Sequence, residues 1–322
     1  MNALKCLCFQ LHLITDFKIL HYIEMITETP ITEFNGKLKY KQLEYPQCTC
    51  NKCPRFFFNM VCCASRQSGK THCISRIIKH YEDNIIKDND NNIVKCRTFI
   101  ISGTIDANPV FTSLKSIDFD NDTYEVYSDD VVEEIMADIA KVKQECQDFK
   151  DYKKAYLKYM KLKVHEIKKL TDDELQLLNK HNFEDYKDIE QPKWGETPPI
   201  NFIIFDDILG TKALSSSKRS KLMNLYIKNR HLQVCCFIAV QSMRGLSREI
   251  RLNTSVFFLG KFANKKIVLE DMFEEVSNVV KSIEQFEELY DRATEEKYGA
   301  LIIDLTDGKK FMKGLDAILE ID

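Results

Sequence analysis

The sequence predicts an α/β fold with a mostly parallel central sheet flanked by helices on both faces. Three observations carry that prediction. Apolar runs of strand length recur at Phe56–Cys63, Cys96–Ser102, Ile200–Phe205, Gln233–Val240 and Thr254–Gly260. They lack the polar alternation of half-exposed strands, as expected where both faces are covered. Helix-prone segments separate them, which favours parallel pairing through crossovers. Finally, the first run passes directly into Ala64-Ser-Arg-Gln-Ser-Gly-Lys-Thr71, which reads as a phosphate-binding loop between a strand and a helix.

That order suits anion chemistry. A strand delivers the backbone to a sharp turn whose N–H groups converge, and the next helix points its positive end at the same place. Ala64, Ser65, Arg66, Gln67, Ser68, Gly69, Lys70 and Thr71 are therefore the candidate nucleotide-binding residues. Gly69 allows close approach, Lys70 supplies charge to the β- and γ-phosphates, and the Thr71 hydroxyl suits magnesium. Ala64 stands where the pattern G-x-x-x-x-G-K-[ST] has its first glycine. If that position needs a positive φ, alanine costs more than glycine there.

A helix is expected from Gly69 to about Asn84, its apolar face marked by Ile74, Ile77 and Ile78. Strands follow at Cys96–Ser102 and, briefly, within 124–127. From Asp129 to about Lys169 the chain is charged and helix-prone, with apolar residues at Val131, Ile135, Ile139 and Val142, then Tyr152, Tyr156, Tyr159 and Leu162. One or two amphipathic helices fit that spacing. Thr171-Asp-Asp-Glu174 fits a capping box opening another. Lys150, Lys153, Lys154, Lys158, Lys161, Lys163, Lys168 and Lys169 make this insertion basic, but Asp148, Asp151 and Glu166 are interspersed. A solvated surface is the reading preferred over a DNA-facing one. Beyond it, strands are expected at 200–205, 233–240, 254–260 and 298–304, and helices at 217–230, 265–280 and 283–293.

The chain has 322 residues, 44% of them hydrophobic, and a net charge of −3. That is enough apolar material for a core, and the near-neutral charge excludes a protein that coats DNA through one extended basic face. A ring with a basic pore is not excluded by it. No apolar stretch reaches the ~20 residues of a membrane span, and the first 25 residues lack the pattern of a signal peptide. Met25 precedes a more ordinary polar start, so translation from it is expected. The 12 cysteines do not form a secreted framework, since Cys62, Cys63, Cys235 and Cys236 lie within apolar runs. Cys48, Cys50 and Cys53 have a spacing that could hold zinc, with Cys6 or Cys8 as a fourth ligand.

Phe202-Ile-Ile-Phe-Asp-Asp207 supplies the second half of a nucleotide site. An apolar strand, expected to neighbour the loop strand, carries acids to the carboxyl edge of the sheet, where ligands bind. Asp206 is the candidate magnesium ligand with Thr71, and Asp207 the group that orients or deprotonates water. Gln241, at the tip of the next strand, could contact both γ-phosphate and water. Arg230 is the first candidate for a charge that reaches a neighbouring subunit's nucleotide. Arg251 is the second, Arg66 could serve its own subunit, and His231 reads as structural.

Taken in order, Ser65-Arg-Gln-Ser-Gly-Lys-Thr71, Phe205-Asp-Asp207, Asn229-Arg-His231, Ala239-Val-Gln241 and Arg251-Leu-Asn253 resemble the genome-packaging ATPases of large DNA viruses, poxvirus-type, and of virophages, in the FtsK–HerA superfamily. The resemblance covers about 56–260. It implies a RecA-like P-loop ATPase using ATP and Mg2+, assembled as a ring of five or six copies. Such a ring pumps double-stranded DNA into a capsid in concert with portal proteins, in the host cytoplasm or a viral factory. It also implies that Lys70, Asp206, Asp207, Gln241 and Arg230 serve catalysis. Asp207 stands where many relatives carry Glu, one methylene shorter. The domain reading is an N-terminal extension at 1–54, a core at 55–262 with a helical insertion at about 129–190, and a C-terminal part at 263–322. A terminase-like motor, another DNA pump or helicase of the superfamily, and a protein that binds ATP without hydrolysing it are the alternatives.

Overall fold

The computed structural model describes residues 45–48, 53–105, 109–208, 220–262, 264–306 and 310–320. Met25, Cys6, Cys8 and Cys50 lie outside them. In chain order the strands are β1 (Gln47–Cys48), β2 (Asn59–Cys63), β3 (Ile86–Lys87), β4 (Cys96–Ser102), β5 (Thr123–Tyr124), β6 (Ile200–Asp206), β7 (Val234–Val240), β8 (Val256–Leu259), β9 (Leu301–Asp304), β10 (Lys310–Lys313) and β11 (Ala317–Leu319). The helices are α1 (Lys70–Asp83), α2 (Asp129–Tyr159), α3 (Asp172–Lys180), α4 (Lys221–Leu232), α5 (Arg248–Leu252), α6 (Lys265–Val276) and α7 (Ile283–Thr294).

Among the described residues, nine strands form one sheet in the order β11-β10-β9-β8-β2-β7-β6-β4-β5. The six strands from β8 to β5 run parallel, and β9, β10 and β11 are added antiparallel at one edge. This is the mostly parallel α/β arrangement that the strand pattern predicts, and it is consistent with the RecA-like fold that the motif resemblance implies. One expectation is corrected: β6, with Asp206 at its end, is not adjacent to the loop strand, because β7 lies between β2 and β6. Sequence order does not determine neighbours in a parallel sheet, where every connection crosses over.

Alternate residues of each strand feed opposite cores, as the pleat requires. Val61, Cys63, Ile203, Phe205, Cys236 and Ile238 pack on one face beneath Val132, Ile135, Leu222 and Tyr226. Met60, Cys62, Phe202, Ile204, Cys235 and Phe237 pack on the other against Ile74, Ile77, Ile78 and Tyr81 of α1. The buried thiols behave as small hydrophobes, and burial pushes Cys63 and Cys235 up to about 12. The insertion has a third cluster of its own, built from Tyr152, Ala155, Tyr156, Leu170 and Leu178.

α2 is one continuous helix of 31 residues, capped by the Ser128 side chain. Arg97 of β4 is held by Asp122 and by Asp138 of α2, each at 2.6 Å. Thr171 and Glu174 form the expected capping box of α3. Lys150, Lys153, Lys158 and Lys169 are ion-paired with Asp90, Glu196, Glu174 and Glu166, the arrangement of a self-neutralising solvated surface. Gln233 leaves the expected strand to close α4 in a left-handed conformation, φ 59°.

Candidate functional site

Parallel strands bring their carboxyl ends to one edge, and the candidate residues collect there. β2 ends at Cys63, level with Val240 of β7 and Leu259 of β8. Asp206 pairs with Ala239. The loop therefore leaves β2 with Gln241 on one side and Gly260 on the other. Its first turns are tied to both neighbours, Ala64 N–H donating to the Val240 carbonyl and Ser65 N–H to that of Lys261, each at 3.2 Å.

The left-handed positions of the loop are Gln67, φ 56°, and Gly69, φ 84°. Ala64 is not among the positive-φ residues, so its side chain causes no backbone strain. Its difficulty is spatial. Ala64 is fully buried, and a Cβ placed on Gly260 would lie 2.7 Å from the Ala64 Cβ. The absent glycine of the loop is thus matched by a glycine at the tip of β8, which leaves room for the alanine methyl.

α1 begins at Lys70 with no side-chain cap and no acidic residue in its first turn. Ser128, Thr171, Ser220, Ser247 and Ser282 cap α2, α3, α4, α5 and α7, while α6 shares the uncapped start. Uncapped N–H groups at a helix start are anion donors. The Lys70 ammonium donates to the carbonyls of Ala64 at 2.8 Å and Ser65 at 2.9 Å, which holds it across the loop. Burial draws its pKa down, and the charges of Asp206 and Asp207 oppose that.

Asp206 is only 9% exposed. Burial pushes its carboxyl above the usual range and Asp207 adds to the shift, while Lys70 and a hydrogen bond from Ser102 oppose it. Asp207 projects from a left-handed residue, φ 55°, into an exposed position. The Gln241 side-chain amide lies 3.4 Å from its carboxylate. Thr71 and Asp206 supply oxygen donors of the kind that a hard cation takes. Two carboxylates close together, one buried, form an arrangement that a divalent cation relieves.

A raised carboxylate pKa in the folded state means that folding favours the protonated form. The group's contribution is complete below the unfolded value, about 3.9, and is lost as pH rises through the folded value. Asp206→Asn, which mimics the protonated acid, should therefore raise the melting temperature of the nucleotide-free protein near neutral pH. The gap should close on approaching about pH 4. A gap that stays constant across that titration would refute the account.

Of the arginine and histidine candidates, only Arg66 lies in the loop. Arg230 is exposed at the end of α4, immediately before β7, so it sits at the sheet edge opposite the loop. His231 is also exposed. Arg251 lies on α5, which leads into β8 at that far edge, and its Nε is 3.4 Å from Glu275. Arg66 is exposed within the loop. The flanking motif residues act on the backbone. Asn229 donates to the Phe57 carbonyl at 2.7 Å, and Asn59 donates to the carbonyls of Tyr226 and Asn253 at 2.9 and 3.0 Å. Together they fasten the start of the loop strand. No group of three or more potential metal ligands comes together among the described residues, and Cys50 lies outside them. Among the described residues no helix is long and apolar enough to cross a membrane.

Sequence reasoning missed Ser102 and Gly260. Both are small residues ending apolar runs, and that position was the available signal. It also missed Arg244, which follows Gln241 at the loop edge and pairs with Asp271 at 2.7 Å.

No family model and no curated protein matches the sequence. Similar solved structures include the genome packaging NTPase B204 from Sulfolobus turreted icosahedral virus 2 in complex with AMP. It is 12% identical, with 81% of this chain and 98% of that chain covered and a TM-score of 0.42. EssC (ATPases 2 and 3) from Geobacillus thermodenitrificans is 11% identical over 83% of this chain and 41% of its own, TM-score 0.42. The cytoplasmic domain of the Thermomonospora curvata type VII secretion ATPase EccC is 12% identical over 92% of this chain and 31% of its own, TM-score 0.38.

Proposed function

We propose that this chain is an ATPase that drives double-stranded DNA into a viral capsid. The observation that carries the ATPase reading is the meeting of Lys70, Asp206, Asp207 and Gln241 beside the uncapped start of α1. The DNA-packaging part rests on the motif resemblance. The loop N–H groups and Lys70 hold the β- and γ-phosphates, and the Thr71 hydroxyl and Asp206 carboxylate are the oxygen donors for Mg2+. When bound, the ion neutralises charge on the phosphates. Asp207 accepts a hydrogen bond from the attacking water and takes up its proton. Gln241, beside Asp207, orients the same water. Arg230 is too far along the sheet to serve its own loop, so its catalytic role is toward the nucleotide of an adjacent copy in a ring of five or six. DNA, capsid proteins and work in the host cytoplasm or viral factory complete the proposal.

ATP hydrolysis measured with and without linear double-stranded DNA tests it. Turnover that rises with DNA is the expected result. Turnover indifferent to DNA would point to another ATPase role, and no turnover by assembled rings would remove the hydrolytic reading altogether.

A further inference from the structure

The acids and Gln241 all lie on one side of β2, at the tips of β6 and β7. A nucleoside triphosphate directs its terminal phosphate toward the groups that hydrolyse it, so its base must leave the loop on the opposite side, over β8, β9 and β10. A cleft of about 390 Å³ lies there, beginning at Gly69, His72 and Cys73 of the loop and α1 and ending at Tyr298, Gly299 and Asp316. Tyr298 borders the loop directly, its Cβ and Cδ1 being 3.6 and 3.9 Å from the point a Cβ on Gly69 would occupy.

Tyr298 is unusual in two ways. It is 59% exposed, and it is held at φ 66°, a left-handed conformation that bulky residues seldom adopt. The turn that holds it is sterically fixed, because a Cβ on the next residue, Gly299, would lie 2.6 Å from the Ala293 carbonyl oxygen. Strain retained at the mouth of a cleft is the kind found where a side chain is presented to a ligand. The Lys297 ammonium lies over the ring, 5.0 Å from its centre, and the exposed remainder of the side chain borders the cleft. Arg76 and Asp316, paired at 3.2 Å, supply donors and acceptors at the rim.

We infer that this cleft receives the ribose and base of the nucleotide, with the base stacked on Tyr298. The inference rests on the nucleotide reading of the loop and deepens it. Stacking needs a flat π-surface and no particular hydrogen-bond pattern, so Tyr298 contributes affinity for nucleosides over bare phosphate.

Equilibrium binding of ATP and of inorganic triphosphate to wild type, Tyr298→Ala and Tyr298→Phe tests this. Wild type is expected to bind ATP more tightly than triphosphate. Tyr298→Ala should weaken ATP binding by about tenfold or more and leave triphosphate unchanged, while Tyr298→Phe keeps wild-type affinity for both. Unchanged ATP affinity in Tyr298→Ala, or equal wild-type affinity for both ligands, would overturn the base subsite and leave the phosphate loop standing. Equal weakening of both ligands in Tyr298→Ala would show a disturbed loop and also overturn stacking. If wild type bound neither ligand, the loop reading would fall and the subsite with it.

Discussion

Lys70→Ala is expected to lower ATP turnover by about a hundredfold to a thousandfold, the usual loss when a preorganised charge is removed from a developing anion. The ammonium is bonded to one set of oxygens and feels the charge of another. The first are the Ala64 and Ser65 carbonyls, 2.8 and 2.9 Å away, and the second the carboxylates of Asp206 and Asp207. Alanine removes the donor from the carbonyls and the counter-charge from the acids, so phosphate binding and the acids proposed to activate water suffer together. Lys70→Arg should not rescue turnover, because a planar guanidinium cannot take the place of a compact ammonium in a closed loop. Steady-state kinetics beside a melting curve would separate lost chemistry from lost folding. Turnover within tenfold of wild type in a folded Lys70→Ala protein would exclude Lys70 from the hydrolytic machinery.

Gly260→Ala is expected to destabilise the protein by about 1–3 kcal/mol, the range for an added methyl in a filled core. The new Cβ would meet the Ala64 Cβ at 2.7 Å, and neither atom can rotate away. Both positions are anchored, since Gly260 N–H donates to the Cys63 carbonyl at 3.0 Å and Ala64 N–H to that of Val240. The strain therefore falls on the first residue of the phosphate loop, so nucleotide affinity should drop with stability. Ala64→Gly in the same chain should restore most of both losses, giving a favourable coupling energy in a double-mutant cycle. Urea unfolding of the four proteins measures it. Strictly additive effects would show that the two residues do not share one space.

The residues that end up at one sheet edge were legible in the sequence, and neighbourhood across the sheet was not. The phosphate loop, the acids ending β6 and Gln241 ending β7 are each marked by an apolar run that stops at a polar residue, and all three meet at one edge. The register that places Gly260 beside Ala64 comes from β2–β8 pairing nearly two hundred residues apart, which no local pattern encodes. The same holds for β7 lying between β2 and β6. Asn229 and Asn253 were legible as parts of motifs, but their partners, the Phe57 carbonyl and the Asn59 side-chain amide, become visible only when the start of β2 meets the segments that precede β7 and β8. Short antiparallel strands such as β10 and β11 escaped notice because runs of three or four residues carry little periodicity.

α2 has its first turns embedded in the sheet core through Val132, Ile135 and Ile139, and its last turns in the separate cluster around Tyr152 and Tyr156. With 31 residues it is a rod about 46 Å long, and Arg97 clamps it to β4 near its sheet end through Asp138. Such a rod acts as a lever arm. A tilt of about 10° at the clamp would carry the outer tip, about 32 Å beyond it, through about 5–6 Å, so a small rotation at the sheet would be read out as a larger displacement at the outlying cluster.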